Sequence, residues 1–145
     1  MNEHVLVPID GSEEAFDALR FAIEHHPDDD VTVLHVVSPT EGMVGEGDAT
    51  YISQETIDAA MERGRSLCEK AREIATDVAG NENRRVESEV RIGRPPSTIV
   101  DFAEDNDIDH IVMGSQGRSG ISRIIMGSVA ETVVRRAPVP VTVVR

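Results

Sequence analysis

Five short runs rich in β-branched residues alternate with segments of helical periodicity along this chain, and that alternation leaves few folds open. The runs are His4–Ile9 (HVLVPI), Val31–Val37 (VTVLHVV), Val86–Ile92 (VESEVRI), Asp109–Met113 (DHIVM) and Val139–Val144 (VPVTVV). Three are nearly continuous in apolar residues, the pattern of strands covered on both faces. Val86–Ile92 alternates instead, with Val86, Ser88, Val90 and Ile92 on one face, and fits a less buried strand. Val139–Val144 contains Pro140, which has no N–H to give to a ladder, so it fits a sheet edge.

Helices are predicted between the runs. The first spans about Ser12–His26, with Ser12 as N-cap, Glu13 and Glu14 at the positive end of the helix dipole, and Phe16, Leu19 and Ile23 as the apolar stripe. The second is long, about Tyr51–Ala79, with apolar or small residues recurring at three- and four-residue steps from Ile57 to Val78. A third starts near Pro96, with Ile99, Phe102 and Ala103 inward. A fourth starts near Ser128, with Val129, Val133 and Val134 inward. Pro39–Thr50 (PTEGMVGEGDAT) holds three glycines and no periodicity, and is expected to be a mobile loop.

Strands alternating with helices imply an α/β fold, here a single-domain, doubly wound, five-stranded parallel sheet of Rossmann-like type. Right-handed crossovers put helices on both faces, and five strands suggest the order 3-2-1-4-5. In such a sheet a crevice opens beyond the carboxyl ends of strands 1 and 4, where the winding reverses. The site is therefore expected among Asp10, Gly11 and Ser12, which follow strand 1, and Gly114 to Gly117, which follow strand 4.

Composition narrows the partners. A chain of 145 residues with 39% apolar residues can close one core, and 3% aromatics make that core aliphatic. A net charge of −13 lacks the positive excess that nucleic-acid binding needs, and it disfavours an anionic membrane surface. No apolar run reaches membrane-spanning length, and MNEHVLVPID reads as a strand, not a signal peptide. Cys68 stands alone, with no metal or redox spacing, so a cytoplasmic protein is expected. Of the 14 basic residues only Lys70 is lysine. Acid excess with almost no lysine points to a halophilic surface adapted to concentrated salt; the bland alternative is an ordinary acidic protein.

The chemistry concentrates after Met113, in GSQGRSGISRIIMGSVAE. Glycines let a ligand approach the backbone, and successive N–H groups can converge on anionic oxygens. Ser128 opens the fourth helix three residues before Glu131, a capping-box spacing, and a helix start is a phosphate site. Arg118 adds positive charge, with Arg123 a further candidate. The bland alternative is that these glycines make turns. The segment is not a Walker A loop, since Gly127 stands where that motif needs a lysine, and it is not a GxGxxG fingerprint. The five histidines, His4, His25, His26, His35 and His110, show no metal-ligand spacing, and no nucleophile–base set can be assigned.

Gly114, Gly117, Gly127 and Ser128 meet the pattern glycine, two residues, glycine, nine residues, glycine, serine. With VLVPIDGSEEAFDAL, GRPPSTIVDFAED, IDHIVMGSQGRSG and GSVAETVVRRAPVPVTVV, this resembles the universal stress protein (UspA-like) family over residues 1–145, and the fold then resembles adenine nucleotide hydrolases. The resemblance implies an ATP pocket. Pro8, Ile9 and Asp10 would line the adenosine end, with Asp10 accepting from a ribose hydroxyl; its alternative role is a turn cap. Val36 or Val37 would offer backbone groups to the adenine edge, or simply pack in the core. Met113 and Gly114 would lie under the ribose and α-phosphate, and Gly117, Arg118, Gly127, Ser128 and Val129 around the phosphates. A Mg²⁺ ion could bridge phosphate oxygens with few protein ligands. The resemblance also implies a homodimer through the final strand, 139–144, whose apolar edge invites pairing. Three functions stay open: a nucleotide sensor or switch with little or no hydrolysis, a slow ATPase or adenylyl-transfer enzyme, and an interaction module that binds no nucleotide.

Overall fold

The structure is a computed structural model that describes residues 2–39, 43–44, 51–84, 86–115 and 126–145. The strands are β1 (His4–Pro8), β2 (Asp30–Val37), β3 (Met43–Val44), β4 (Tyr51–Ile52), β5 (Val86–Ile92), β6 (His110–Gly114) and β7 (Val141–Val144). The helices are α1 (Glu13–His25), α2 (Gln54–Ala79), α3 (Pro95–Asp105) and α4 (Ser128–Arg136).

Five strands form one parallel sheet in the order β5-β2-β1-β6-β7. Counting only the strands of this sheet, that is the order 3-2-1-4-5. The central strands are apolar at consecutive positions because both faces are covered. Val5 and Val7 pack with α1 and α2, through Phe16, Leu19, Cys68 and Ala71. Leu6, one residue out of step, packs with α3 and α4, through Ile99, Phe102 and Val133. Full burial of a side chain such as Leu6 stabilises the fold by roughly 1.5–3 kcal/mol. β5 and β7 are the two edges, so the alternating run and the proline-bearing run both lie at the periphery.

Three local expectations change. The long helix begins at Gln54, not Tyr51, because the Ser53 hydroxyl caps it, accepting from Thr56 N–H at 3.1 Å. Tyr51–Ile52 stay extended, as their types favour, and pair antiparallel with Met43–Val44. The segment Pro39–Thr50 therefore contains a short strand, while the rest of that expected loop, 40–42 and 45–50, lies outside the described residues. The third helix starts at Pro95, whose missing N–H is no loss in a first turn. Among the described residues, no helix is long and apolar enough to cross a membrane.

Candidate functional site

β1 and β6 are neighbours in the sheet, and each leads onward to helices on opposite faces. Beyond their carboxyl ends lies a cavity of about 340 Å³, within the range of small-ligand pockets, which begins near 300 Å³. Its floor is the sheet: Pro8, Leu34, Val36 and Met113. Pro95 and Ile99 of α3 form one wall, and Gly127 to Ala130 close the far end.

The turn out of β1 supplies the rim. Asp10 accepts the Ser12 N–H on Oδ1 at 2.9 Å, and the Ser12 hydroxyl accepts Ala15 N–H at 3.2 Å to start α1. Gly11 between them has φ of +87°, a conformation that side chains with a Cβ resist. Asp10 thus acts as the turn cap while it also lines the cavity. No described residue donates to its second oxygen.

The turn out of β6 is built by packing. A Cβ on Gly114 would lie 3.0 Å from the carbonyl carbon and oxygen of Glu14 and 3.2 Å from Ala15 N. The first turn of α1 therefore rests directly on the Gly114 backbone. The next residue reinforces this contact: the Ser115 hydroxyl donates to the Glu14 carboxylate at 3.1 Å. Gly127 N–H then reaches the Ser115 carbonyl at 2.6 Å, which brings the start of α4 to the end of β6.

α4 opens differently from the capping-box expectation. Its N-cap is Gly127, so Ser128 is the first helical residue, and among the described residues no side chain caps the helix. The Glu131 carboxylate instead accepts from Arg135 at 2.7 Å, one turn on. The uncapped start leaves the N–H groups of Ser128, Val129 and Ala130 at the cavity end, where the helix dipole favours an anion.

Of the sequence-expected site residues, Pro8, Ile9, Asp10, Val36, Met113, Gly114, Gly127, Ser128 and Val129 line this one cavity. Val37 does not; it is buried at 2% exposure, and its carbonyl accepts Gly93 N–H on the β5 side at 3.0 Å. Backbone groups of successive strand residues point in opposite directions, so only one of Val36 and Val37 can face β1. Gly117, Arg118 and Arg123 lie outside the described residues. Pro95, Ile99 and Leu34 join the site without a motif to announce them. Their signal is positional: Leu34 shares the face of Val36, and Ile99 belongs to the inward stripe of α3.

Of the five histidines, His35 also lines the cavity, and the other four sit away from it. His4 and His110 pair with Thr32 and Thr142 at 2.7 Å, and His25 Nδ1–H donates to the Phe21 carbonyl at 2.9 Å. Glu3, His26 and Asp29 bring three ligand-type atoms within 4.8 Å of one another at the amino end of the sheet. His26 there is already paired with Asp29 at 2.8 Å, and the Arg84 guanidinium holds the carbonyls of His26 and Pro27. Burial pushes the Cys68 thiol up, away from thiolate chemistry.

Comparison with known proteins gives one consistent answer. The model of the Universal stress protein family matches residues 1–145. A universal stress protein of Methanocaldococcus jannaschii is 34% identical over 145 residues, covering 97% of this chain and 81% of the relative. The structure of universal stress protein UspA from Lactobacillus plantarum superposes with a TM-score of 0.79 at 27% identity, covering 99% of this chain and 97% of that one. That of the universal stress protein from Archaeoglobus fulgidus in complex with dAMP does so with a TM-score of 0.63 at 28% identity, covering 100% and 98%.

Proposed function

Since this chain belongs to the universal stress protein family, we propose that it is an ATP-binding member of it, a stress-response sensor or switch that holds the nucleotide with little or no hydrolysis. The observation that carries the reading is the cavity at the carboxyl ends of β1 and β6, apolar along its floor and closed by the uncapped start of α4. An apolar slot suits a base, and convergent N–H groups suit phosphate. The dAMP complex of the Archaeoglobus fulgidus relative supports the same ligand class. In this reading Gly127, Ser128 and Val129 surround the phosphates; Gly117 and Arg118, which the family pattern would add, lie outside the described residues. Met113 and Gly114 lie beneath the ribose. Asp10 accepts from a ribose hydroxyl with the oxygen that Ser12 leaves over, and Val36 meets the base. Mg²⁺ fits this site as a phosphate-bound ion with a mainly water shell, since Asp10 is the one carboxylate among the described residues that line the cavity.

The site has no lysine at the P-loop position and no described base beside the phosphate end, which favours holding ATP over spending it. Occupancy then acts as a switch through differential affinity of two conformations. Two copies pair through β7, whose outer edge is open in the sheet. The acidic, lysine-poor surface suits concentrated salt.

Calorimetric titration with ATP, run with a phosphate-release assay in the salt that keeps the protein folded, tests the reading. Saturable binding tighter than about 1 mM and phosphate release equal to buffer are expected. Absence of binding at that concentration refutes nucleotide binding, and turnover above buffer makes the protein an ATPase. Light scattering is expected to give the mass of two chains.

A further inference from the structure

We propose that His35 is a positioning residue of the nucleotide site, which keeps the Val36 backbone free to read the base; the idea rests on the adenine-nucleotide reading above and adds to it a residue and a specificity. In the parallel ladder between β1 and β2, bonds run alternately from one strand to the other. Ile9, one residue past the end of β1, continues it by donating its N–H to the Leu34 carbonyl at 2.9 Å. The next rung would run from Val36 N–H to the Ile9 carbonyl, and it is not made. His35 Nδ1–H takes that carbonyl instead, at 2.9 Å.

The alternation of the strand fixes the consequence. Leu34 presents its backbone groups to β1, so Val36, two residues on, presents its own to the same side, beyond the point where β1 ends. There Val36 lines the cavity. By occupying the Ile9 carbonyl, His35 leaves a donor and an acceptor of one residue at the cavity wall. The pairing edge of adenine offers the complement, an N6–H donor beside the N1 acceptor, whereas guanine reverses the order with O6 and N1–H. The arrangement selects adenine over guanine.

The imidazole is held for this task. His35 is buried, at 6% exposure. Its ring is backed by Gly64 of α2, where a Cβ would lie 2.8 Å from His35 Cδ2 and 3.1 Å from Val90 Cγ1. Gly64 is on the face of the sheet away from the cavity floor and is not among the residues that line the cavity.

The test compares His35→Leu, which removes the donor, with His35→Asn, whose amide nitrogen occupies nearly the place of Nδ1. ATP and GTP affinities are measured by titration, and exchange of the Val36 amide by mass spectrometry or NMR without ligand. His35→Leu is expected to bind ATP about 5–10-fold more weakly, the effect of one hydrogen bond, with a reduced ATP:GTP ratio and a more protected Val36 amide as the missing rung forms. His35→Asn is expected to restore all three. Gly64→Ala, a milder perturbation for the case in which His35→Leu fails to fold, is expected to shift the ratio in the same direction. An unchanged ATP:GTP ratio in His35→Leu, or a Val36 amide already protected in the parent protein, overturns the proposal. If the parent binds neither nucleotide, the functional reading falls on that result, and the exchange experiment still decides whether His35 holds the rung open.

Discussion

Replacing Gly114 by alanine separates two reasons for a glycine at the end of β6. One is room for a ligand; the other is room for α1. The new Cβ meets Glu14 backbone carbon and oxygen at 3.0 Å and Ala15 N at 3.2 Å. These atoms belong to the first turn of α1 and cannot rotate aside, so the helix must move off the sheet as a body. Overpacking of this kind costs about 1–3 kcal/mol. In a domain of this size 1 kcal/mol lowers the melting temperature by about 2–4 °C, so the fall is about 2–12 °C. Scanning calorimetry of the protein without nucleotide is the assay, because ligand is then out of the comparison. An unchanged melting temperature, with nucleotide affinity alone reduced, refutes the packing explanation and returns Gly114 to a purely ligand-facing role.

Other outcomes follow from single contacts. Leu6→Ala removes a fully buried side chain between β1 and the α3–α4 layer, and urea titration is expected to show a loss of about 2–5 kcal/mol. Ser12→Ala deletes the α1 cap and is expected to lower stability by about 1 kcal/mol, read in the same way. The Asp29 carboxyl is held below its ordinary 3.8, first by the Glu3 N–H bond and then by His26. Its contribution is therefore present above that value and lost as pH falls through the lower folded one. Asp29→Asn is expected to be less stable than the parent near neutral pH, with the gap closing in strong acid; a gap independent of pH contradicts this.

What could be read from the sequence was what local pattern controls. Val5, Leu6 and Val7 announce a two-sided strand because consecutive apolar residues have no other stable place. Pro140 announces an edge because it cannot donate. From those the strand order and the position of the crevice follow, and with them most of the residues around the cavity. Contacts between distant residues left no such trace. Gly114 is glycine partly because Glu14 lies against it, and nothing near Gly114 in the chain records that. The pairing of Tyr51–Ile52 with Met43–Val44 is too short for periodicity to reveal. Ser128 and Glu131 have capping-box spacing, yet Gly127 takes the cap and Arg135 takes the carboxylate. His35 looks like one more strand residue, and its bond to a carbonyl beyond the ladder appears only once β1 and β2 are in register.

The most direct measurement is a crystal structure of the protein grown with ATP. The account predicts one nucleotide per chain, with its base over Val36, its ribose near Asp10 and its phosphates at the amino end of α4. A nucleotide bound elsewhere, or this cavity empty at saturating ATP, would contradict it.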